Sequence, residues 1–343
     1  MTAVATIGLD IAKNVFQVYG ADVNGLPVFN KQLKRQDVLA FFNDLQPCLV
    51  GIESCASSQF WARQISELGH EVRLIHTSYV KPFVKRGKTD ANDAEAINEA
   101  LTRPTMRFVP IKTAEQQASI VVFRTRAVFV SQRTQLANAL RSHLAENGVI
   151  AKGGFRHVKT LIAYAQNGDN MSLPSSVRHA LVDLVDQIQR LSDIIEKLDD
   201  EIDQRARNDE DAKRLVTIPG IGPKIAMCIL ASVPDIHRFS TARHFAAWLG
   251  LTPRSYSSGG RAVLGQISKM GNHTVRYMLY LGAAGVTRMA KDSSPLGRWV
   301  VKLRARRPFK VAAIAVANYL ARVVWALLVK GGVYHSEFGR AAQ

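Results

Sequence analysis

The sequence predicts an α/β domain followed by a mainly helical, strongly basic remainder. Three observations lead there. The first hundred residues alternate apolar runs of strand length with helix-length segments closed by glycine. From about Thr113 onward the chain reads as mainly helical, and from Leu181 to Ile202 the apolar residues recur at intervals of three and four, the spacing of a helix. The charge is also divided: residues 213–343 hold 20 Lys and Arg against 3 Asp and Glu, whereas residues 1–100 hold 10 against 11. A chain of 343 residues exceeds one typical domain, and the boundaries read as 1–112, 113–212 and 213–343.

In the first region, ATIGLD and VFQVYGAD are short β-type runs separated by a turn, and LPVFNKQLKR supplies a third. Gln36 to Leu45 has a helical pattern, and CLVGIES is another apolar strand. A helix from about Ser58 to Leu68 stops at Gly69, and EVRLIHT is the next strand. Three strands in series, then alternating helix and strand, is an order compatible with a ribonuclease-H-like layer. A helix starts near Asp90 in KTDANDAEAINEAL.

The middle region reads as a helix from about Thr113 to Asn147 that ends at Gly148, then a less periodic link to Pro174. Leu181, Leu184, Ile188, Leu191, Ile195, Leu198 and Ile202 follow as a heptad-like seam with acidic residues on the outer faces. An ordinary packed helix and a dimerising coiled coil both satisfy that seam. In the last region TIPGIGPKIAMCIL has the sense of helix, tight Gly-x-Gly turn and second helix, as in helix-hairpin-helix elements. Gly220 and Gly222, with Lys224 just behind them, would bring backbone N–H groups at a helix N-terminus against a phosphate. The rest, apart from one serine-rich loop, reads as helix.

Composition narrows the partners. The +17 net charge, concentrated in the last region, points to a polyanion, above all nucleic acid. The chain shows no cationic-then-apolar leader pattern at its start. Its most apolar late stretch, Val311 to Val329, is interrupted by Asn318 and Arg322 and reads as a buried amphipathic helix rather than a membrane span. Cys48, Cys55 and Cys228 are odd in number and lack ligand spacing, which fits reduced thiols in a cytoplasm. The nine histidines form no zinc-like pairs.

Four carboxylates occupy chemically suggestive places. Asp10 closes the strand ATIGLD and Glu53 closes CLVGIES; Asp90 and Asp93 share one helix face at i and i+3. Adjacent strands lie about 5 Å apart, so carboxylates at their ends can converge on one point. Hard oxygen ligands so gathered suit Mg²⁺ or Mn²⁺, and a pair of such ions stabilises both entering and leaving oxygens of a phosphodiester exchange. Each residue also has a plainer reading: Asp90 as helix cap, Asp93 as first-turn support, Asp10 as a turn residue, Glu53 as a surface group.

These residues resemble those of a known family, the DEDD insertion-sequence transposases (the one-ten group), which are themselves similar to Piv-type DNA invertases. GLDIAKNVFQV with Asp10, GIESCAS with Glu53 and KTDANDAEAI with Asp90 and Asp93 carry the resemblance. TIPGIGPKIA and AAWLGLTPRSYSSGGRAVLGQISKMGNHTVRYML carry it again, so it extends from near the start to about residue 285. It implies a RuvC-like metal-binding domain, a coiled-coil region, and a C-terminal transposase domain that supplies a serine nucleophile. It also implies a noncoding bridge RNA that pairs with donor and target DNA, and a homodimer or homotetramer in which one subunit's carboxylates meet another's serine.

Within PRSYSSGGRAVLGQISKMGN the family's Ser-Gly pattern matches Ser258 best, with Ser257 as the neighbouring alternative. A serine hydroxyl is a poor nucleophile unless its proton is taken or a metal lowers its pKa. The loop holds no base, which agrees with activation arriving from the carboxylate site. Gly259 and Gly260 would admit a DNA backbone, and Arg254, Arg261, Lys269 and Arg276 would neutralise phosphates. Two rivals remain: a hydrolytic nuclease that needs only the carboxylates, and a nonenzymatic nucleic-acid-binding scaffold.

Overall fold

A computed structural model describes residues 3–87, 89–154, 157–167, 173–256, 259–261 and 263–336. The chain divides into two compact units, Met1–Glu115 and Gln116–Gln343.

The first unit is built on a six-stranded mixed sheet with the order β3-β2-β1-β4-β5-β6. β1 (Thr6–Asp10), β2 (Val15–Ala21) and β3 (Pro27–Lys34) form an antiparallel meander. α1 (Val38–Asn43) leads to β4 (Leu49–Glu53), which runs parallel to β1. α2 (Ser58–Glu67) ends at Gly69, whose φ of 93° reverses the chain into β5 (Glu71–Ile75), parallel to β4. α3 (Thr77–Val80) and α4 (Asp90–Leu101) follow, and β6 (Phe108–Val109) closes the edge antiparallel to β5. The three-strand meander, the parallel fourth and fifth strands and the covering helices are consistent with a ribonuclease-H-like layer.

Alternation along the central strands sets what each face carries. Ile7, Leu9, Val50 and Ile52 join α1 and α2 in one core through Val38, Phe42, Trp61 and Ile65. Gly8 and Gly51 occupy the opposite face and form the floor under α4. A methyl group built on Gly8 would lie 2.0 Å from the Ala94 carbonyl oxygen, and one on Gly51 would meet Leu101 and Ile97 at 3.1–3.2 Å. The helix therefore rests directly on strand backbone at Gly8.

The second unit is mainly helical. α5 (Ala114–Ala145) ends near Gly148, and α6 (Val158–Gln166) and α7 (Ser175–Asn208) pack with it around Leu140, Leu144, Leu161, Val185 and Ile188. On α7 the heptad positions Leu181, Ile188, Ile195 and Ile202 are buried within this chain, while Leu184, Leu191 and Leu198 stay partly open. A larger core follows, formed by α8 (Glu210–Val216), α9 (Pro223–Ser232), α10 (Ala242–Trp248), α11 (His273–Met289), α12 (Pro295–Arg306) and α13 (Phe309–Lys330). By length and composition α13 is apolar enough to cross a membrane. Here Val316, Ala317, Leu320, Ala321 and Val324 are fully buried in that core, the buried amphipathic helix that the interruptions at Asn318 and Arg322 predict.

Several elements differ from the sequence reading. β6 and α6 are additional, and the serine-rich loop is framed by a two-stranded antiparallel ribbon, β7 (Pro253–Ser255) and β8 (Leu264–Ile267). Every residue of β7 is exposed, so no apolar alternation announces the strand.

Candidate active site

β1 and β4 are in register through the pair Leu9 and Ile52. One position further along, Asp10 and Glu53 stand side by side at the strands' carboxyl ends. Two-residue alternation puts both on the face shared by Gly8 and Gly51, the face α4 covers. Asp90 is the first residue of α4 and Asp93 lies one turn in. Thr89 rather than Asp90 caps this helix: its Oγ1 accepts from the Asn92 N–H at 3.2 Å, and its carbonyl accepts from the Asp93 N–H at 3.0 Å. Asn92 Nδ2 donates to the Gly87 carbonyl at 2.9 Å and holds the preceding turn in place. Both aspartate side chains are thus left with no capping duty at the positive end of a helix dipole, where carboxylates are favoured.

Asp10 senses the other three. Burial first, then the charges of Asp93, Asp90 and Glu53, push Asp10 up to about 6, against the single lowering influence of a hydrogen bond from the Ile11 N–H. No basic side chain enters that balance. The carboxylates are not drawn into a closed coordination shell: among the described residues no group of three or more His, Cys, Asp or Glu has metal-holding geometry. Asp10, Glu53 and Asp93 are half-buried and Asp90 is exposed. By donor chemistry the set fits a hard divalent cation, since it is all carboxylate oxygen with uncompensated negative charge at its centre. Cys55, not anticipated from the sequence, belongs to the same neighbourhood. Desolvation, then the charges of Glu53 and Asp10, push its thiol up.

In the second unit the nucleophile candidates Ser257 and Ser258 lie outside the described residues, and the frame around them is defined. Tyr256 N–H donates to the Val263 carbonyl at 2.8 Å, Ser268 N–H to Thr252 at 2.9 Å and Lys269 N–H to Gly250 at 3.2 Å. The two legs of the ribbon cross at glycine. A methyl group on Gly250 would lie 2.3 Å from the Met270 carbonyl oxygen, and one on Gly271 would lie 1.8 Å from that of Trp248. Gly259 and Gly260 have positive φ and open space around them.

The predicted cations separate into two kinds. Arg254, Arg261 and Lys269 are exposed on or beside the ribbon, Arg254 also donating to the Ser268 carbonyl at 3.0 Å. Arg276, expected to face phosphate, is instead turned inward at 8% exposure. Its Nη1 donates to the Leu249 carbonyl at 2.9 Å and the Met270 carbonyl at 2.8 Å, tying both legs to α11. Two carbonyls that converge only in the fold claim this side chain.

The Gly-x-Gly turn lies between α8 and α9, as expected. Gly220 has φ of 84°, and a methyl group there would lie 2.8 Å from the Gly282 carbonyl oxygen, so this glycine serves the close approach of α11. Gly222 precedes α9 with open space beside it. Lys224 reaches Asp203 at 3.4 Å and Asp199 at 3.6 Å on α7, so its charge is spent within the unit.

Comparison with known proteins follows the same two blocks. A family model described as "Transposase IS116/IS110/IS902 family" matches residues 212–296, and a DEDD-type model described as "Transposase" matches residues 7–147. The chain is 45% identical to a "Probable family 20 transposase" of Pseudomonas aeruginosa over 330 residues, 96% of this chain and 98% of that protein. It is 36% identical to the "Transposase for insertion sequence element IS1328" of Yersinia enterocolitica, covering 97% and 99% of the two chains. With the "Transposase for insertion sequence element IS1111A" of Coxiella burnetii it shares 34% identity over 97% and 92%.

Proposed function

The chain belongs to the IS116/IS110/IS902 family of DEDD transposases, and from that premise we propose that it moves an insertion sequence by serine-based transesterification. The observation that carries the proposal is the juxtaposition of Asp10 and Glu53 on the face that receives the N-terminus of α4. Asp10, Glu53, Asp90 and Asp93 would hold Mg²⁺ or Mn²⁺. When bound, such a cation supplies positive charge to the phosphoryl oxygens.

The Ser258 hydroxyl attacks the scissile phosphorus. An Oγ–P bond forms and the DNA P–O bond breaks; the serine proton passes to a carboxylate and from there to the departing oxygen, so the strand leaves as a hydroxyl. Attack of another strand's hydroxyl on the phosphoserine reverses these steps. One phosphodiester is exchanged for another, so no high-energy cofactor is consumed. Arg254, Arg261 and Lys269 stand ready for the phosphates around the loop, while Arg276 positions it.

In this reading residues 1–112 form a RuvC-like catalytic domain, 113–212 a helical region with the α7 seam available for coiled-coil assembly, and 213–343 the basic transposase domain with its helix-hairpin-helix. The +17 charge of that last region supports donor and target DNA, and a bridge RNA, as partners. A homodimer or homotetramer working in the cytoplasm, and kinship to Piv-type invertases, complete the proposal.

The test is a covalent-adduct trap. The protein is expressed with the DNA flanking its element, so that any guide RNA is made, and denatured rapidly. An adduct present in wild type and Ser257→Ala but absent in Ser258→Ala and Asp10→Ala supports the mechanism. Cleaved DNA without adduct, indifferent to both serine changes, would overturn it in favour of hydrolysis by the carboxylate site.

A further inference from the structure

The ribbon β7–β8 carries side chains that its role as a frame for serine does not require. Leu264 is 70% exposed, Tyr256 59% and Val263 53%. Such large apolar groups on a short ribbon call for a partner. Ser255 pairs with Leu264, so alternation puts Leu264 on one face and Tyr256 with Val263 on the other. The Tyr256 ring lies across Gly265, where a methyl group would meet it at 2.5 Å; only glycine lets the ring lie flat. Each face of the ribbon thus carries at least one exposed apolar group.

We propose that this ribbon is a wedge that enters the base stack of the DNA beside the scissile phosphate, with Leu264, Tyr256 and Val263 as the inserted groups. The proposal rests on the reading that strand exchange occurs at the serine loop. A flat protein surface covers one face of a ribbon, whereas the gap between two neighbouring base pairs has two apolar walls and covers both. Charge selects the same partner. No Asp or Glu occurs between Asp235 and Asp292; Arg254 lies on the ribbon and Arg261 in the segment that joins its strands. Leucine, phenylalanine and similar groups flanked by arginine are the side chains that unstack and kink duplexes.

A wedge also needs a stiff root, and this one has three constraints: the glycine crossing at Gly250 and Gly271, the Arg276 tie to both legs, and the Arg254 bond to Ser268. Unstacking at this point would open the strands that must change partners.

Permanganate, which oxidises unstacked thymines, reads the event directly. The assembled complex, purified with whatever RNA it carries, is probed on duplexes spanning the element's end. Wild type, Ser258→Ala and the conservative Leu264→Met are expected to expose thymines at the exchange point. A Tyr256→Ala/Leu264→Ser variant, altered only at exposed positions and checked by melting temperature, is expected to bind the same duplex and leave them protected. Reactivity unchanged in that folded double variant overturns the wedge. So does a double variant whose only change is a smaller oligomer by light scattering, which would make the ribbon a protein contact. Exposed thymines without any covalent adduct sink the serine mechanism and leave the wedge standing; adduct without exposed thymines does the reverse.

Discussion

Gly8 and Ala94 are in backbone contact: the strand that ends in Asp10 touches the helix that begins with Asp90, with no room for a methyl group between them. The spacing of the acidic residues is therefore fixed by main chain. Gly8→Ala should cost more than about 3 kcal/mol, because the Ala94 carbonyl cannot yield without moving the whole helix. Gly51→Ala meets side-chain carbons of Leu101 and Ile97 at 3.1–3.2 Å rather than backbone and should cost roughly half as much. Urea unfolding of the two variants checks this; equal stabilities would show that α4 floats over the sheet.

Asp10 makes the metal-free protein sensitive to pH. Its carboxyl rises from 3.8 to about 6 in the fold, so the protonated form is the one folding favours. Its contribution is complete below pH 3.8 and disappears as pH rises through about 6. The loss is at most about 3 kcal/mol, reduced by solvent screening because the carboxyl is only half-buried. Metal-free Asp10→Asn should then melt above metal-free wild type at pH 7.5, and the gap should close toward pH 4. Matching melting curves at both pH values would refute the electrostatic account.

Divalent cations should reverse that penalty. Millimolar Mg²⁺ or Mn²⁺ at pH 7.5 is expected to raise the wild-type melting temperature, as binding to the native state alone must. Asp10→Asn and Glu53→Gln should respond weakly. Calorimetric titration reads the same event without any DNA, and a full response in both variants would remove these residues from the metal site.

The arginines divide by salt. Arg261→Ala should weaken DNA binding on every sequence and flatten the slope of log K against log salt by about 1, since one phosphate contact is lost. Arg276→Met should leave that slope intact and instead cost about 2–4 kcal/mol of stability, because two inward carbonyls lose their donor. A reduced slope in Arg276→Met would put that side chain back against DNA.

What the sequence discloses and what it hides follow from the same physics. Strands β1 and β4 were readable because buried parallel strands are continuous apolar runs, and each ends on one carboxylate. The start of α4 was readable from Thr89, Asp90 and Asp93. The ribbon was not, because an exposed pair of strands is held by backbone hydrogen bonds and carries no apolar period. Nor does anything local distinguish Arg276 from Arg261; only the meeting of Leu249 and Met270 in space does. Lys224 looked like a phosphate ligand because its partners, Asp199 and Asp203, lie on another helix. The glycines at 8 and 51 were the overlooked signal: glycine inside a strand marks a place where another backbone arrives.

The crossing of Gly250 and Gly271 also has a mechanical meaning. With its legs in contact at the root and pinned to α11 through Arg276, the ribbon is a cantilever rather than a hinged flap. A load applied to the described strands passes through that crossing and the Arg276 bonds into the helices of the core.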